Sequence, residues 1–471
     1  MPSLLGKLFG RKAPATSAST QFDALRARAA SAAENADFHH AIQLYDEAIA
    51  LDPANAETYY KRGNAQRNAG RIEAAIDSYS RAIELRPGYA HAYCNRGVVQ
   101  QSLGMTGAAL VSYDRAIALD PADAMAHYNR GLLMQELSQW DEALASYNRA
   151  IQIDPHYADA QYNRSLALLF RGEFASGWRA FEWRWKIAQR LGIGLQRQFT
   201  QPPWLGDESI AGKRLLLYCE GGFGDTLQFC RYAKLCAALG ATVILEVPLP
   251  LRDLLDDLAG VAQLIVTGSP LPLFDYYCPL MSLPLALRTT PDTIPAAPSY
   301  LNSDLAKVER WRARLGERTC PRVGLTWSGN PNNPVDARRS FTLADLVAHL
   351  PPGFQYFCLQ RDLRDADRET LASHPWILSF ADDLLDFSIT AALCECMDIV
   401  ISVDTSVAHL SGALGRPTWV LLPVIPDWRW LADRGDSPWY PSARLYRQKV
   451  AGNWGEVLGR VATDLREQLR A

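Results

Sequence analysis

The chain has 471 residues, more than one hydrophobic core holds together, so two to four domains are expected. Hydrophobic residues at 48% and charged residues at 21% describe a globular protein, and a net charge of -3 gives no electrostatic reason for a nucleic-acid partner. No apolar run is long enough to cross a bilayer, and nine scattered cysteines without a Cys-x-x-Cys fit a reducing, cytoplasmic setting.

Residues 1–20 read as a disordered tail. Leu4, Leu5, Leu8 and Phe9, interleaved with Lys7, Arg11 and Lys12, offer a short amphipathic turn for a membrane surface, but the Ala, Ser, Thr and Pro of Ala13 to Thr20 favour fraying. Residues 22–191 repeat themselves. Pro53, Pro87, Pro121 and Pro155 recur in step, as do Tyr45, Tyr79, Tyr113 and Tyr147, Gly63, Gly97 and Gly131, and Ala41, Ala75, Ala109 and Ala143. This is the tetratricopeptide pattern, in which small residues let two helices cross closely, an aromatic ring fills the gap and proline ends the second helix. Units are expected to start near Phe22, Ala56, Ala90, Ala124 and Ala158. The last decays into Trp178, Phe181, Trp183 and Trp185, which are expected to cap the stack and bind it to the neighbouring domain.

Such stacks expose a wall built from the first helix of each unit. Asn95, Asn129 and Asn163 form a ladder along it, with Lys61 in the equivalent place and Tyr60, Tyr128 and Tyr162 one residue earlier. An asparagine amide offers one acceptor and two donors, so a row of them can grip an extended peptide backbone; the same residues are also stock repeat sequence. The arrangement resembles the asparagine ladder of O-GlcNAc transferase, where tetratricopeptides also precede a glycosyltransferase domain. By that resemblance Asn95, Asn129 and Asn163 bind an acceptor peptide.

Residues 192–213, with Pro202, Pro203, Gly206 and Gly212, read as a linker. The first α/β unit, 214–305, opens with a buried strand from Arg214 to Tyr218, then Cys219-Glu220-Gly221-Gly222-Phe223-Gly224-Asp225-Thr226 and a helix. Glycines between strand and helix let a ligand approach the backbone, yet the spacing is not a dinucleotide fingerprint. Asp225 either caps the helix or acts as a general base, with Glu220 in reserve. Gly-Phe-Gly-Asp-Thr resembles the Gly-Leu-Gly-Asp element of bacterial heptosyltransferases, whose aspartate takes the acceptor's proton. Relatives in that family read Glu-Gln-Gly ahead of this element, whereas Gly221 stands here in place of the glutamine. Further strands are expected at Gln263 to Thr267 and Phe274 to Cys278.

The second unit, 306–471, begins with a connecting helix and a strand from Arg322 to Trp327. The loop behind it contains Ser328, Gly329, Asn330, Asp336, Arg338, Arg339 and Ser340, and reads as either a solvated turn or a diphosphate-holding loop. The strand Gln355 to Leu359 ends in Gln360-Arg361-Asp362, where base or ribose contacts are expected. Ile399 to Val403 is a strand buried on both faces, leading through Asp404, Thr405 and Ser406 into a helix that carries His409 and stops at Gly415 and Pro417. Asp404 to Ser406 can cap this helix and leave N–H groups outward for a phosphate, with His409 adding a ring donor. Asp427, Trp428, Arg429, Trp430, Trp439 and Tyr440 either pack a seam between two sheets or stack on a base. A final helix runs from Gly455 to Leu469.

The segment Asp404-Thr405-Ser406-x-x-His409-Leu410-x-Gly412-Ala413-Leu414-Gly415-x-Pro417 resembles the donor-phosphate motif of heptosyltransferases and of the glycosyltransferase domains that follow tetratricopeptides in many bacterial proteins. The resemblance implies an α plus α/β protein: a tetratricopeptide solenoid, then a GT-B glycosyltransferase of two Rossmann-like units whose last helix crosses back to the first. It implies donor binding by Asp404, Thr405, Ser406, His409, Arg339, Ser340, Asn330 and Gln360, and catalysis by Asp225 or Glu220. Neither a metal nor a cofactor is expected beyond the nucleotide-sugar co-substrate. The acceptor would be a protein recruited by the repeats, a flagellin being suggested by resemblance to repeat-bearing flagellin glycosyltransferases. Transfer to lipopolysaccharide or another glycan, and an inactive repeat scaffold, are the competing expectations.

Overall fold

The computed structural model describes residues 18–192, 197–333 and 336–468. The Leu4 to Phe9 segment, Pro334, Val335 and Leu469 lie outside the described residues. The chain divides into two compact units, the first ending at Ala160 and the second starting at Gln161.

The first unit is a run of helices, α1 Ala18–Glu34, α2 Phe38–Leu51, α3 Ala56–Asn68, α4 Ile72–Leu85, α5 Ala90–Ser102, α6 Thr106–Leu119, α7 Ala124–Glu136 and α8 Trp140–Ile153. Each odd helix packs on the even helix after it, and α3, α5 and α7 start at the expected alanines. Helix α1 starts at Ala18, inside the stretch expected to be tail, because Phe22, Leu25 and Ala29 bury a face against α2. The glycine and tyrosine periods prove to be one device. A Cβ on Gly63 would lie 2.7 Å from Cε1 of Tyr79, and on Gly97 or Gly131 it would lie 2.6 Å from the same atom of Tyr113 or Tyr147. The three rings are fully buried in the space that the missing methyl leaves.

Helix α9, Ala158–Phe170, straddles the division, and α10, Phe174–Phe181, and α11, Arg184–Arg190, belong to the second unit. Trp178 explains why. Its Nε1 donates to the Thr289 carbonyl at 3.1 Å, and its ring meets Trp428 edge-on at 5.1 Å, so α10 is seated in the α/β core. The stretch before the first strand is no loose tether either: Trp204 is 2% exposed and its backbone N–H donates to Tyr277 O at 2.7 Å.

Two wholly parallel sheets complete the second unit. The first comprises β1 Arg214–Tyr218, β2 Thr242–Val247, β3 Val261–Val266 and β4 Tyr276–Pro279 in the order β3-β2-β1-β4. Strand β4 starts two residues later than expected because Phe274 turns to meet Phe199 at 5.3 Å. The second comprises β5 Arg322–Thr326, β6 Gln355–Cys358, β7 Ile377–Ser379, β8 Ile399–Val403, β9 Thr418–Leu422 and β10 Ala443–Arg447 in the order β10-β9-β8-β5-β6-β7. Edge strand β10 is not among the strands expected from the sequence. Every residue of β5, β8 and β9 is buried, as befits central strands covered on both faces.

The final helix, Trp454–Gln468, corrects an expectation. Its apolar stripe of Trp454, Val457, Leu458, Val461 and Leu465 packs into the second sheet's own core, against Val323, Leu325, Phe341 and Leu343. It does not cross to the first sheet. The seam is closed instead by the aromatic segment after β9, whose Trp428, Trp430, Trp439 and Tyr440 are all buried. Buried Arg231, just beyond the first sheet's helix α12, Phe223–Phe229, donates to Trp439 O at 2.6 Å and to the Tyr300 hydroxyl at 2.7 Å.

Candidate functional site in the cleft between the parallel sheets

Parallel strands present their carboxyl ends to ligands, and here the ends of β1, β5, β6, β8 and β9 converge on one cleft of about 1120 Å³. Its walls carry Gly221 to Asp225 on the first sheet and Thr326, Ser328 to Asn333, Gln360, Asp404 to Val407, His409, Asp427 and Arg429 on the second.

The floor is set by β8. Thr405 stands at the N-cap of the helix Ser406–Ala413, but its side chain makes no cap bond and lies 3.0 Å from Ser402 Oγ. The first amides of this helix are thus left without a side-chain acceptor from their own cap, the condition under which a helix N-terminus takes an anion. Thr326, the register partner of Ser402 on β5, lines the cleft with a buried hydroxyl that has no hydrogen-bond partner among the described residues. An orphaned hydroxyl at this depth costs about 1–3 kcal/mol unless something fills the space beside it.

Several expected donor ligands serve the frame instead. Asp404 does not cap the helix; its Oδ1 lies 3.6 Å from His409 Nε2, and its backbone carbonyl accepts from Arg339 Nη1 at 2.6 Å. Burial works to raise the Asp404 carboxyl, but the attraction of His409 and Arg339 outweighs it and holds the group below the usual carboxylate range. His409 is 4% exposed, with Nδ1 2.8 Å from the Tyr440 hydroxyl and its ring stacked on Trp430 at 5.5 Å. Gly224 lets α12 come this close, since a Cβ there would lie 2.8 Å from His409 Cδ2. The imidazole edges the cleft but is engaged at both nitrogens. Gln360 is likewise spent: Oε1 accepts from Ser328 N at 3.2 Å, and Nε2 donates to Ser328 Oγ at 2.7 Å and Asp362 O at 2.9 Å. Ser340 Oγ accepts from Gly329 N at 3.1 Å, and Asn330 Oδ1 turns its own loop by accepting from Asn332 N at 2.9 Å.

Arg339 remains at the cleft wall, and its holder was not singled out from the sequence. Asp336, 2% exposed, accepts from Arg339 Nε at 3.2 Å and from Arg364 Nη2 at 2.6 Å. Gly329 is needed beneath them, because a Cβ would fall 2.4 Å from Asp336 Oδ1 and 2.5 Å from Arg339 Nη2. A buried carboxylate fixing two arginines is a charge-assisted scaffold for a further anion.

On the opposite wall Asp225 takes the first of the two roles expected of it, capping the start of α12. Its Oδ2 accepts from Gly222 N at 2.7 Å, and its Oδ1 is ion-paired with Arg429 across the seam. Gly221 in place of glutamine acquires a reason, since a Cβ there would sit 2.1 Å from Asp225 Oδ2 and deny the carboxylate this position. Arg429 is buried, donates to Gln228 Oε1 at 2.7 Å and to Asp427 Oδ1 at 2.8 Å, and lies over the Trp428 ring at 4.5 Å. Burial alone would depress its pKa, but Asp427 and Asp225 together raise it, so it is a permanent cation. The signal for Arg429 and Asp427 was their place after β9, another strand whose carboxyl end faces the cleft.

Glu220 is corrected outright as a reserve base, for it does not line the cleft. Arg184 Nη2 donates to it at 3.0 Å and Met281 N at 3.0 Å, within a cluster that includes Glu182 and Ser282. Burial pushes its carboxyl up to about 7 against the pull of Arg184. The peptide ladder also loses its first rung. Asn95 is 7% exposed, and its Nδ2 donates inward to Tyr60 OH at 3.1 Å and Asn64 Oδ1 at 2.8 Å. Asn129 is half-buried with Nδ2 3.6 Å from Cys94 Sγ, while Asn163, half-buried, belongs to the second unit. Among the described residues no group of three or more His, Cys, Asp or Glu side chains is arranged to hold a metal ion, and no helix is long and apolar enough to cross a membrane.

Among known proteins, the TPR repeat family profile matches residues 37–70, 63–104, 102–138 and 136–169, so the chain carries TPR repeats. Protein FlbA of Caulobacter vibrioides is 29% identical over 325 residues, which take in 64% of this chain and 54% of that protein. The chain therefore spans about half the length of that relative. Among solved structures, MamA is 27% identical, covering 35% of this chain and 96% of its own with a TM-score of 0.32. YrrB, described as a TPR protein with an unusual peptide-binding site, is 21% identical, covering 38% and 96% with a TM-score of 0.32.

Proposed function

We propose that the chain is a glycosyltransferase of the two-lobed GT-B kind, which moves a sugar from a nucleotide-activated donor to a protein brought by its TPR repeats. The observation that carries this reading is the cleft floor: an N-terminal helix turn without a side-chain cap, beside an orphaned Thr326 hydroxyl and the Asp336-held Arg339, faces a carboxylate wall at Asp225. The leaving nucleoside phosphate would be met by the amides of Ser406 and Val407 and by Arg339, where helix dipole and guanidinium stabilise the charge that develops as the glycosidic bond breaks. In this reading Asp404, His409, Gln360 and Ser340 shape the floor rather than touch the phosphate. TPR repeats support a protein-binding role, and the flagellin acceptor rests on resemblance alone.

A bound nucleotide stabilises the folded state by mass action. At a hundredfold excess over Kd the gain is about 2.7 kcal/mol, a rise of about 5 °C in the melting temperature of the second unit. Thermal unfolding against uridine, guanosine and adenosine diphosphates and cytidine monophosphate should show such a rise for one base, with Arg339→Ala abolishing it. No shift with any nucleotide would remove the reading.

A further inference from the structure

The carboxylates that line the cleft differ in what their oxygens already hold. Asp386 Oδ1 caps a helix by accepting from Ser388 N at 2.8 Å and Ile389 N at 3.0 Å, and Asp404 is committed to His409. Asp225 gives Oδ2 to the Gly222 amide and Oδ1 to Arg429. Asp427, like Asp386 and the exposed Asp362, keeps an oxygen to which nothing donates among the described residues, but it alone of these three sits on the Arg429 guanidinium beside Asp225: Oδ1 accepts both the backbone N–H of Arg429 at 3.0 Å and its Nη1 at 2.8 Å, and Oδ2 is left over. Its side chain is 35% exposed against 25% for Asp225, so Asp427 is the more open of the two carboxylates that share the Arg429 guanidinium.

We propose that Asp427, through Oδ2, takes the proton of the attacking hydroxyl, and that Asp225 is a positioning residue that holds Arg429 and the Gly222 turn. This rests on the glycosyltransferase reading above. The acceptor O–H bond breaks and its proton passes to Asp427. The acceptor oxygen bonds to the anomeric carbon, and the anomeric C–O bond to phosphate breaks with its electron pair leaving on the nucleoside phosphate. The charge balance around Arg429 suits this division of labour. When Asp427 is neutralised by the proton, Asp225 still pairs the buried guanidinium, so no step strands an uncompensated cation. The other groups that face Asp427 are the Arg429 guanidinium and the Tyr162 hydroxyl of α9, whose pKa burial and the Asp427 charge both raise.

The test uses the full chain and follows hydrolysis of UDP-N-acetylglucosamine, GDP-mannose and CMP-N-acetylneuraminate, water replacing the acceptor hydroxyl. Asp427→Asn keeps Oδ1 for Arg429 and is expected to lower kcat about 100-fold or more, to flatten the acidic limb of kcat/KM against pH, and to leave nucleotide affinity unchanged. Asp225→Asn is expected to slow turnover yet keep that limb. If Asp427→Asn does not fold, Asp427→Glu, which retains charge but displaces the oxygen, must shift the midpoint of the limb. Turnover of Asp427→Asn within threefold of wild type, or loss of the limb in Asp225→Asn alone, would overturn the assignment while leaving the transferase reading in place. A wild-type chain that hydrolyses none of the three donors overturns both.

Discussion

Glu220 and Asp225 leave the same glycine-bearing loop and meet opposite fates. Asp225 faces the cleft because Gly221 clears a path for its carboxylate and the Gly222 N–H donates to it, a consequence of short-range geometry that the sequence displays openly. Glu220 turns inward because Arg184 and Met281 wait behind the strand, partners 36 and 61 residues away that no local pattern announces. Its buried carboxyl makes a pH prediction. The folded chain keeps this proton up to about pH 7, whereas an unfolded glutamate releases it near 4.5, so between these values the folded state binds more protons than the unfolded. The contribution to stability is therefore complete below about pH 4.5 and is lost as pH rises through about 7. Melting temperature should fall between pH 5 and 7.5 by more in the wild type than in Glu220→Gln, and equal slopes would show that the carboxyl titrates normally.

Helix pairs were legible because their packing rule is local and repeats. The glycine and tyrosine of each repeat lie 16 residues apart and interlock, as the pairs Gly63 with Tyr79 and Gly97 with Tyr113 show. Gly97→Ala should cost about 1–3 kcal/mol, because the new methyl meets a fully buried ring. Gly107→Ala should instead stabilise by up to about 1 kcal/mol, since nothing lies within 4 Å of its Cβ and α6 gains a better helix former. Urea unfolding of the two variants should give shifts of opposite sign. The Asn ladder failed at Asn95 for a reason on the same scale: Tyr60 and Asn64, from the preceding repeat, supply acceptors before any peptide does. Repetition places a residue on a wall, but its neighbours decide whether the side chain faces solvent.

At the scale of the whole molecule, the division between Ala160 and Gln161 means that α10 and α11 are parts of the α/β unit by packing, although they end the repeats by sequence. A fragment starting at Ala158 should unfold cooperatively, while one starting at Gly212 should not, because it strips Trp178 from Trp428 and Arg184 from Glu220. Circular dichroism on heating would check this, and equal cooperativity would refute it. The amino-acid sequence by itself determined the repeat period, the buried parallel strands and the glycine loops at their ends, since each depends on residues close together in the chain and on the spacing of apolar side chains. Only the tertiary structure decided which polar groups at those strand ends are spent on one another. The pairing of Asp225 with Arg429 spans 204 residues, and the Asp336 clamp on Arg364 and the His409 contacts with Asp404 and Tyr440 likewise depend on how sheets and loops converge. A hydrogen bond is local in space and indifferent to separation along the chain, so spacing can nominate a donor or acceptor, and only the folded neighbourhood shows whether it is free.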